Sequence, residues 1–371
     1  MDRPPMYTQE DFAHSPFVMF YEVTRACDLV CKHCRACAQP RRHPSELTPE
    51  LSKQLIDQIA SFPKPPVLVF TGGDPMKRDD IFDLVRYAGD AGLSTAITPA
   101  ATSLVTRDAL VKLKDAGLKR LALSLDSPDP ATHDAFRGVP GSYTRTMEIL
   151  RDARGIGLPL QINTTITRWN VDQVDEMAEM LAGQDIVLWS VFFLIPVGRG
   201  LAEQRIAPAQ YEIVFEQLWN HARKQPYAIK TTEAHHYRRF VIQRHGDPQG
   251  IGPSIPGRIQ RAPLGVNDGK GVMFISHTGS VYPSGFMPIL CGKFPTRSIV
   301  DTYQNSETFQ ALRDPDRLKG KCGACEFRSI CSGSRARAYA VTNDPLGAEP
   351  DCVYIPDGWR PERSPVLGFV A

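Results

Sequence analysis

The sequence predicts an α/β fold: a parallel sheet wrapped by helices, with a smaller cysteine-bearing region behind it. Three observations carry that expectation. Short β-rich runs alternate with amphipathic helical patterns from residue 17 to about 225; a Gly- and Pro-rich stretch then breaks the alternation; and the nine cysteines fall into two groups, at 27–37 and 291–352. Uninterrupted strand–helix alternation favours parallel pairing, because each helix supplies the crossover between neighbouring strands.

Strands are expected at 18–23, 67–71, 94–98, 120–125, 161–167 and 187–194, and helices at 50–61, 81–91, 107–116, 142–155 and 174–182. Thr48 followed by Pro49 reads as an N-cap with proline in the first turn, and Gly92, Gly117 and Gly183 read as helix stops. A last helical pattern covers 210–223, residues 246–271 read as a linker or long loop, and 272–276 with 280–282 read as a β-hairpin turning at His277-Thr278-Gly279. The expected division is a segment at 1–16, the wrapped sheet at 17–225, a bridging region at 226–270 and a C-terminal domain at 271–371.

With 371 residues, 42% apolar and 23% charged, the chain can bury a core of ordinary size. A net charge of +2 without a basic block argues against nucleic acid or an anionic membrane as partner. The first residues lack the apolar core of a signal peptide, and no run approaches the ~20 apolar residues of a membrane span. The expected location is therefore cytoplasmic. In a reducing compartment, clustered cysteines point to metal ligation, with disulfides between the groups as the alternative.

Sheets of this kind place their chemistry beyond the C-terminal ends of the strands. The cysteine loop follows the first strand, Gly72-Gly73-Asp74-Pro75 the second, and Asp126 the fourth. Cys27-x3-Cys31-x2-Cys34 offers three thiols, where a closed zinc site wants four. Cys37 would supply a fourth, so a zinc knob is the rival reading. A cubane cluster on three thiolates keeps one iron open to an outside ligand.

On this motif the chain resembles the radical S-adenosylmethionine (radical SAM) superfamily, and His33, an aromatic residue directly before the third cysteine, fits the pattern. The resemblance implies a partial (β/α)6 TIM-like barrel, a [4Fe–4S] cluster on Cys27, Cys31 and Cys34, and reductive cleavage of S-adenosylmethionine to a 5′-deoxyadenosyl radical. It implies co-substrate contacts from Gly72, Gly73 and Asp74, with Asp74 replacing the usual Glu, and from Ser124, Asp126, Arg137 and Asn163. The loop Val197–Gly200 would cover the adenine or admit substrate. A flavodoxin or ferredoxin-type electron donor is the expected partner.

Cys322-x2-Cys325-x5-Cys331, with Cys352 farther on, resembles the SPASM/twitch-like auxiliary-cluster extension. Its four thiols would hold one auxiliary [4Fe–4S] cluster, and zinc is the alternative. Ser284 and Ser334 stand where further ligands would be, and serine oxygen is a poor substitute for thiolate. The stretch Arg335–Ala340 resembles the radical enzymes of alternative haem and haem d1 synthesis, which act on tetrapyrrole propionates. Arg335 and Arg337 would then meet carboxylates or form surface salt bridges, and Glu233, His235, His236 and Arg238 would line the substrate mouth. The other readings are a maturase acting on a ribosomal peptide and a non-catalytic Fe–S or zinc-binding protein.

Overall fold

The computed structural model describes residues 7–246 and 265–360. Seven strands run parallel in sequence order: β1 (Val18–Thr24), β2 (Val67–Gly72), β3 (Thr95–Ile97), β4 (Arg120–Ser124), β5 (Leu160–Ile166), β6 (Leu188–Phe193) and β7 (Ala228–Thr232). Helices α1 (Pro49–Ala60), α2 (Ile81–Asp90), α3 (Arg107–Asp115), α4 (Pro130–Arg137), α5 (Ser142–Gly155), α6 (Val174–Ala182) and α7 (Pro208–Lys224) fill the connections. α8 (Tyr237–His245) follows β7.

The strand pattern sorts side chains by period two. On β5, Leu160, Ile162, Thr164 and Ile166 are buried, while Gln161, Asn163 and Thr165 are half-exposed toward the barrel interior. The helices bury their apolar stripes against the outer face, as Leu84, Val85 and Ala88 of α2 do. Each such leucine or valine contributes about 1.5–3 kcal/mol. Thr48 Oγ1 accepts from Leu51 N and Thr106 Oγ1 from Ala109 N, so two expected helix starts are capped by threonine.

The hairpin forms as β9 (Gly271–Ile275) and β10 (Ser280–Tyr282), but it is not a separate layer. β9 pairs parallel with β1, Val18 opposite Val272, and so extends the barrel sheet on its other edge. β8 (Asn267–Asp268) and β11 (Gly292–Lys293) complete the same sheet. This makes β1 an interior strand, and Met19, Tyr21 and Val23 are fully buried. Beyond it come α9 (Ile299–Asn305), α10 (Glu307–Arg313), α11 (Gly320–Gly323) and α12 (Arg335–Thr342).

Among the strands and α-helices up to His245, three lie outside the expected set: α4, β7 and α8. β7 reads Ala-Ile-Lys-Thr-Thr, with no buried residue to betray it, and it forms because β6 offers a free edge. It falls, with α8, inside the region read as a bridge; residues 247–264 of the expected linker lie outside the described residues. No described helix is long and apolar enough to cross a membrane.

Candidate active site

The cysteine loop is the excursion between β1 and α1. Cys27 N donates to Gln39 O at 2.7 Å, closing the loop on itself, and Cys34 N donates to Cys31 O at 3.3 Å. Each of the three sulfurs accepts a donor: Leu29 N to Cys27 at 3.3 Å, Ala38 N to Cys34 at 3.4 Å, and Arg137 Nη1 to Cys31 at 3.7 Å. Cys27 and Cys31 are buried with Leu29, and Cys34, Ala38, Ala100 and Val139 pack around them. Burial pushes the Cys27 thiol up to about 12 and raises Cys31 as well. Such thiols ionise when a metal takes the proton's place.

All three cysteines line one cavity of about 320 Å³ inside the barrel mouth. Among the described residues, no group of three or more His, Cys, Asp or Glu is arranged to hold a single metal ion. Three thiols around a shared space suit a cluster that brings several irons and keeps one open. Cys37, with φ +47° and outside the cavity lining, stands apart from the set.

Of the expected co-substrate contacts, His33, Gly72, Gly73, Ser124, Arg137 and Asn163 line this cavity with the cysteines. His33 stacks on Phe136, ring centroids 4.2 Å apart, and burial lowers its imidazole to about 3, so it is neutral. Asp74 and Asp126 stand behind the wall instead. The Asp74 carboxylate accepts from Met76 N, Ala100 N and Thr102 Oγ1, tying the turn after β2 to the loop after β3. Asp126 accepts from Thr165 N at 2.9 Å and pairs with Arg137 at 2.5 Å, so it aims the arginine at Cys31. The glycine turn has a reason beyond any ligand. A Cβ on Gly73 would lie 2.4 Å from Ala26 O, because the turn packs directly under the cysteine loop. The loop after β6 presses on it from the other side: Arg199 N donates to Cys34 O at 3.0 Å.

Cys322, Cys325, Cys331 and Cys352 converge on a second, smaller cavity with His236, Arg239, Lys321 and Tyr354. Glu349 N donates to Cys322 Sγ at 3.2 Å and Gly333 N to Cys331 Sγ at 3.4 Å; Arg335 reaches Cys322 at 3.9 Å and Arg239 reaches Cys352 at 3.8 Å. Four thiols ringed by N–H donors and cations fit an anionic cluster with every iron ligated. Ser334 is not among them. It caps α12, its hydroxyl accepting from Arg337 N at 3.0 Å and donating to Glu233. Ser284 lines the main cavity, and Cys291 donates to Ile289 O and lines neither cavity.

Residues 21–181 match the radical SAM superfamily. Over 344 residues the chain is 37% identical to the AdoMet-dependent heme synthase of Methanosarcina barkeri, covering 92% of this chain and 98% of that one. The chain belongs to the radical SAM superfamily. It is also 28% identical to the PqqA peptide cyclase of Bradyrhizobium diazoefficiens, over 92% of this chain and 87% of that one. The fold matches SuiB of Streptococcus suis bound to S-adenosylmethionine with a TM-score of 0.69 at 17% identity, over 92% and 78% of the two chains. This radical SAM enzyme therefore uses a [4Fe–4S] cluster and S-adenosylmethionine, acts on a small molecule or a peptide, and carries C-terminal cysteines consistent with an auxiliary cluster.

Arg335 and Arg337 of this radical SAM chain do neither thing expected of them. Both are fully buried. Arg337 pairs with Glu349 at 3.2 Å and Asp351 at 3.1 Å and donates to Phe193 O and Glu233 O. Arg335 donates to Pro345 O and Gly347 O. Arg337 binds the second cysteine region to the barrel, and Arg335 ties that region to itself. Glu233, His235 and Arg238 do line the main cavity, whereas His236 belongs to the second one. The residues unforeseen in that wall are Lys230, Asn267 and Asp268, from β7 and β8. The only sequence signal for Lys230 is a lysine within a threonine-rich run.

Proposed function

We propose that this radical SAM enzyme oxidatively decarboxylates a propionate side chain of a tetrapyrrole. One observation carries the reading. The cavity reached by Cys27, Cys31 and Cys34 is walled by Phe17, Phe20, Phe192, Phe274 and Phe286, and it also holds Lys230 and Arg238. A flat apolar macrocycle packs on aromatic faces, and its carboxylate arms are met by cations. Similarity to a protein named AdoMet-dependent heme synthase supports the same substrate class.

The cluster and S-adenosylmethionine, when bound, supply a 5′-deoxyadenosyl radical that takes a hydrogen atom from an unactivated carbon. The chain's own residues bind and orient. The phenylalanines exclude water from the reacting side chain, and Arg137, fixed by Asp126, holds the cysteine loop in place. In balance, the propionate loses a hydrogen atom and CO2, passes one electron to a one-electron acceptor, for which an oxidised iron–sulfur cluster at the four C-terminal cysteines would serve, and becomes a vinyl group. A flavodoxin or ferredoxin-type protein in the cytoplasm is the proposed reductant, and a net charge of +2 supports no nucleic-acid partner.

The test is anaerobic reconstitution with iron, sulfide and S-adenosylmethionine, then dithionite and iron-coproporphyrin III. Vinyl product with 5′-deoxyadenosine in step is expected. 5′-Deoxyadenosine without any change in the tetrapyrrole would sink the reading. A second reading, peptide maturation, rests on the likeness to PqqA peptide cyclase; modification of a short peptide encoded beside the gene would favour it.

A further inference from the structure

Lys230 sits at mid-strand on β7, the last strand of the parallel run. Register pairs Ser190 with Lys230 and Phe192 with Thr232. Phe192 faces the cavity, so period two turns Lys230 and Thr232 the same way, and both line it. The Lys230 amine forms no side-chain hydrogen bond or ion pair with any described residue. Its surface is open to the cavity although protein surrounds it.

Its neighbours make the vacancy of charge sharper. Arg238, from α8, donates to Ile330 O and Val266 O, both at 3.0 Å. These are neutral acceptors, and no carboxylate among the described residues pairs with it. Burial, then the nearby Arg238 and Arg120, bring the Lys230 amine down to about 8. The adjacent acids offer little relief. Glu233 and Asp268 are both buried and both pushed up, Glu233 by burial and by Asp268 and Asp268 by burial, which disfavours their charged forms. Glu233 is further occupied by the Ser334 hydroxyl. Neighbouring cations on a cavity wall are a cost that a bound anion removes.

We propose that Lys230, backed by Arg238, is the anchor for a substrate carboxylate and sets the pose of the substrate against the three cysteines. The identity of the ligand rests on the tetrapyrrole reading; the carboxylate site itself does not. Position on a strand, between aromatic walls, gives the anchor the rigidity needed to present one carbon for attack.

The experiment measures binding to the reconstituted full-length protein. Metal-free coproporphyrin III, a fluorescent tetracarboxylate, is titrated against wild type, Lys230→Met and Lys230→Arg, beside its uncharged tetramethyl ester. The site predicts that Lys230→Met weakens the tetracarboxylate about 10- to 100-fold, that Lys230→Arg restores most of the loss, and that the ester discriminates none of the three. Equal binding of the tetracarboxylate by wild type and Lys230→Met would overturn the anchor while leaving the substrate class intact. In parallel, reductive methylation of Lys230, mapped by mass spectrometry, is followed with and without glutarate. Should no tetrapyrrole bind yet glutarate protect Lys230, the tetrapyrrole reading falls and the carboxylate site stands. Without protection by either ligand, the site falls.

Discussion

The two cysteine sets bury the same chemical group in opposite company. Around Cys27, Cys31 and Cys34 stand Leu29, Ala38, Ala100 and Val139, and among the described residues the one cation that reaches a sulfur, Arg137, is already paired with Asp126. Around Cys322, Cys325, Cys331 and Cys352 stand Arg239, Lys321 and Arg335, two of them within reach of a sulfur. Three thiols opening on a cavity suit a centre that must accept an outside ligand. Four thiols held by donors and cations suit one that must not. Positive charge also raises a cluster's potential, so the first set, whose arginine is already paired with Asp126, would suit the stronger reductant.

The largest effects come from removing thiols. Cys27→Ala is expected to abolish 5′-deoxyadenosine formation while the protein keeps about four irons, the complement of one cubane. Retained cleavage would break the assignment of the first set. Cys331→Ala should do the reverse: about four irons remain, uncoupled cleavage of S-adenosylmethionine persists, and substrate conversion is lost. If the variant loses no iron but one zinc, the second set is a zinc site.

A smaller effect separates the regions by what fastens them. Arg337 is fully buried between Glu349, Asp351 and two backbone carbonyls. Arg337→Met leaves the buried Glu349 without its cation, while Asp351 keeps Arg205 at 2.8 Å; the loss costs about 3–5 kcal/mol. The variant should release auxiliary iron under mild denaturant before it loses the iron at Cys27, Cys31 and Cys34. Simultaneous release would mean the two regions unfold as one.

The contrast also explains what the sequence discloses. The expected strands and α1–α7, α4 excepted, fall within about two residues of their structural limits, because each carries a buried apolar pattern of its own. The cysteine spacings are local too, Cys352 excepted, and each set lines one cavity. Arg335 and Arg337 were illegible for the opposite reason. A charged pair on a short helix reads as surface, and its burial depends on Glu349 and Asp351 beyond the helix and on carbonyls of β6. β7 is likewise long-range: β6 supplies its pairing, and no residue of its own is buried. Asp74 and Asp126 read as ligand contacts because they sit at strand ends, yet the loop after β3 engages the first carboxylate and β5 with Arg137 the second.

The smallest expected effect tests the support beneath the first set. Glu22, on β1, is buried and holds Arg35, next to Cys34, at 3.2 Å and His277 Nδ1 at 2.7 Å. Burial alone would raise its carboxyl, but the His277 hydrogen bond and the Arg35 charge hold it below its ordinary 4.5. A carboxyl depressed by folding stabilises fully above its unfolded value and loses that contribution as pH falls through the folded one. Glu22→Gln should therefore cost about 1–3 kcal/mol near neutrality. The gap between variant and wild type should shrink below about pH 4.5. Urea unfolding of the two apoproteins across a pH series measures it. A gap that stays constant into acid would mean that Glu22 acts through its shape and not its charge, and that Arg35 is held beside the cysteine loop by Phe274, over whose ring it lies at 4.6 Å.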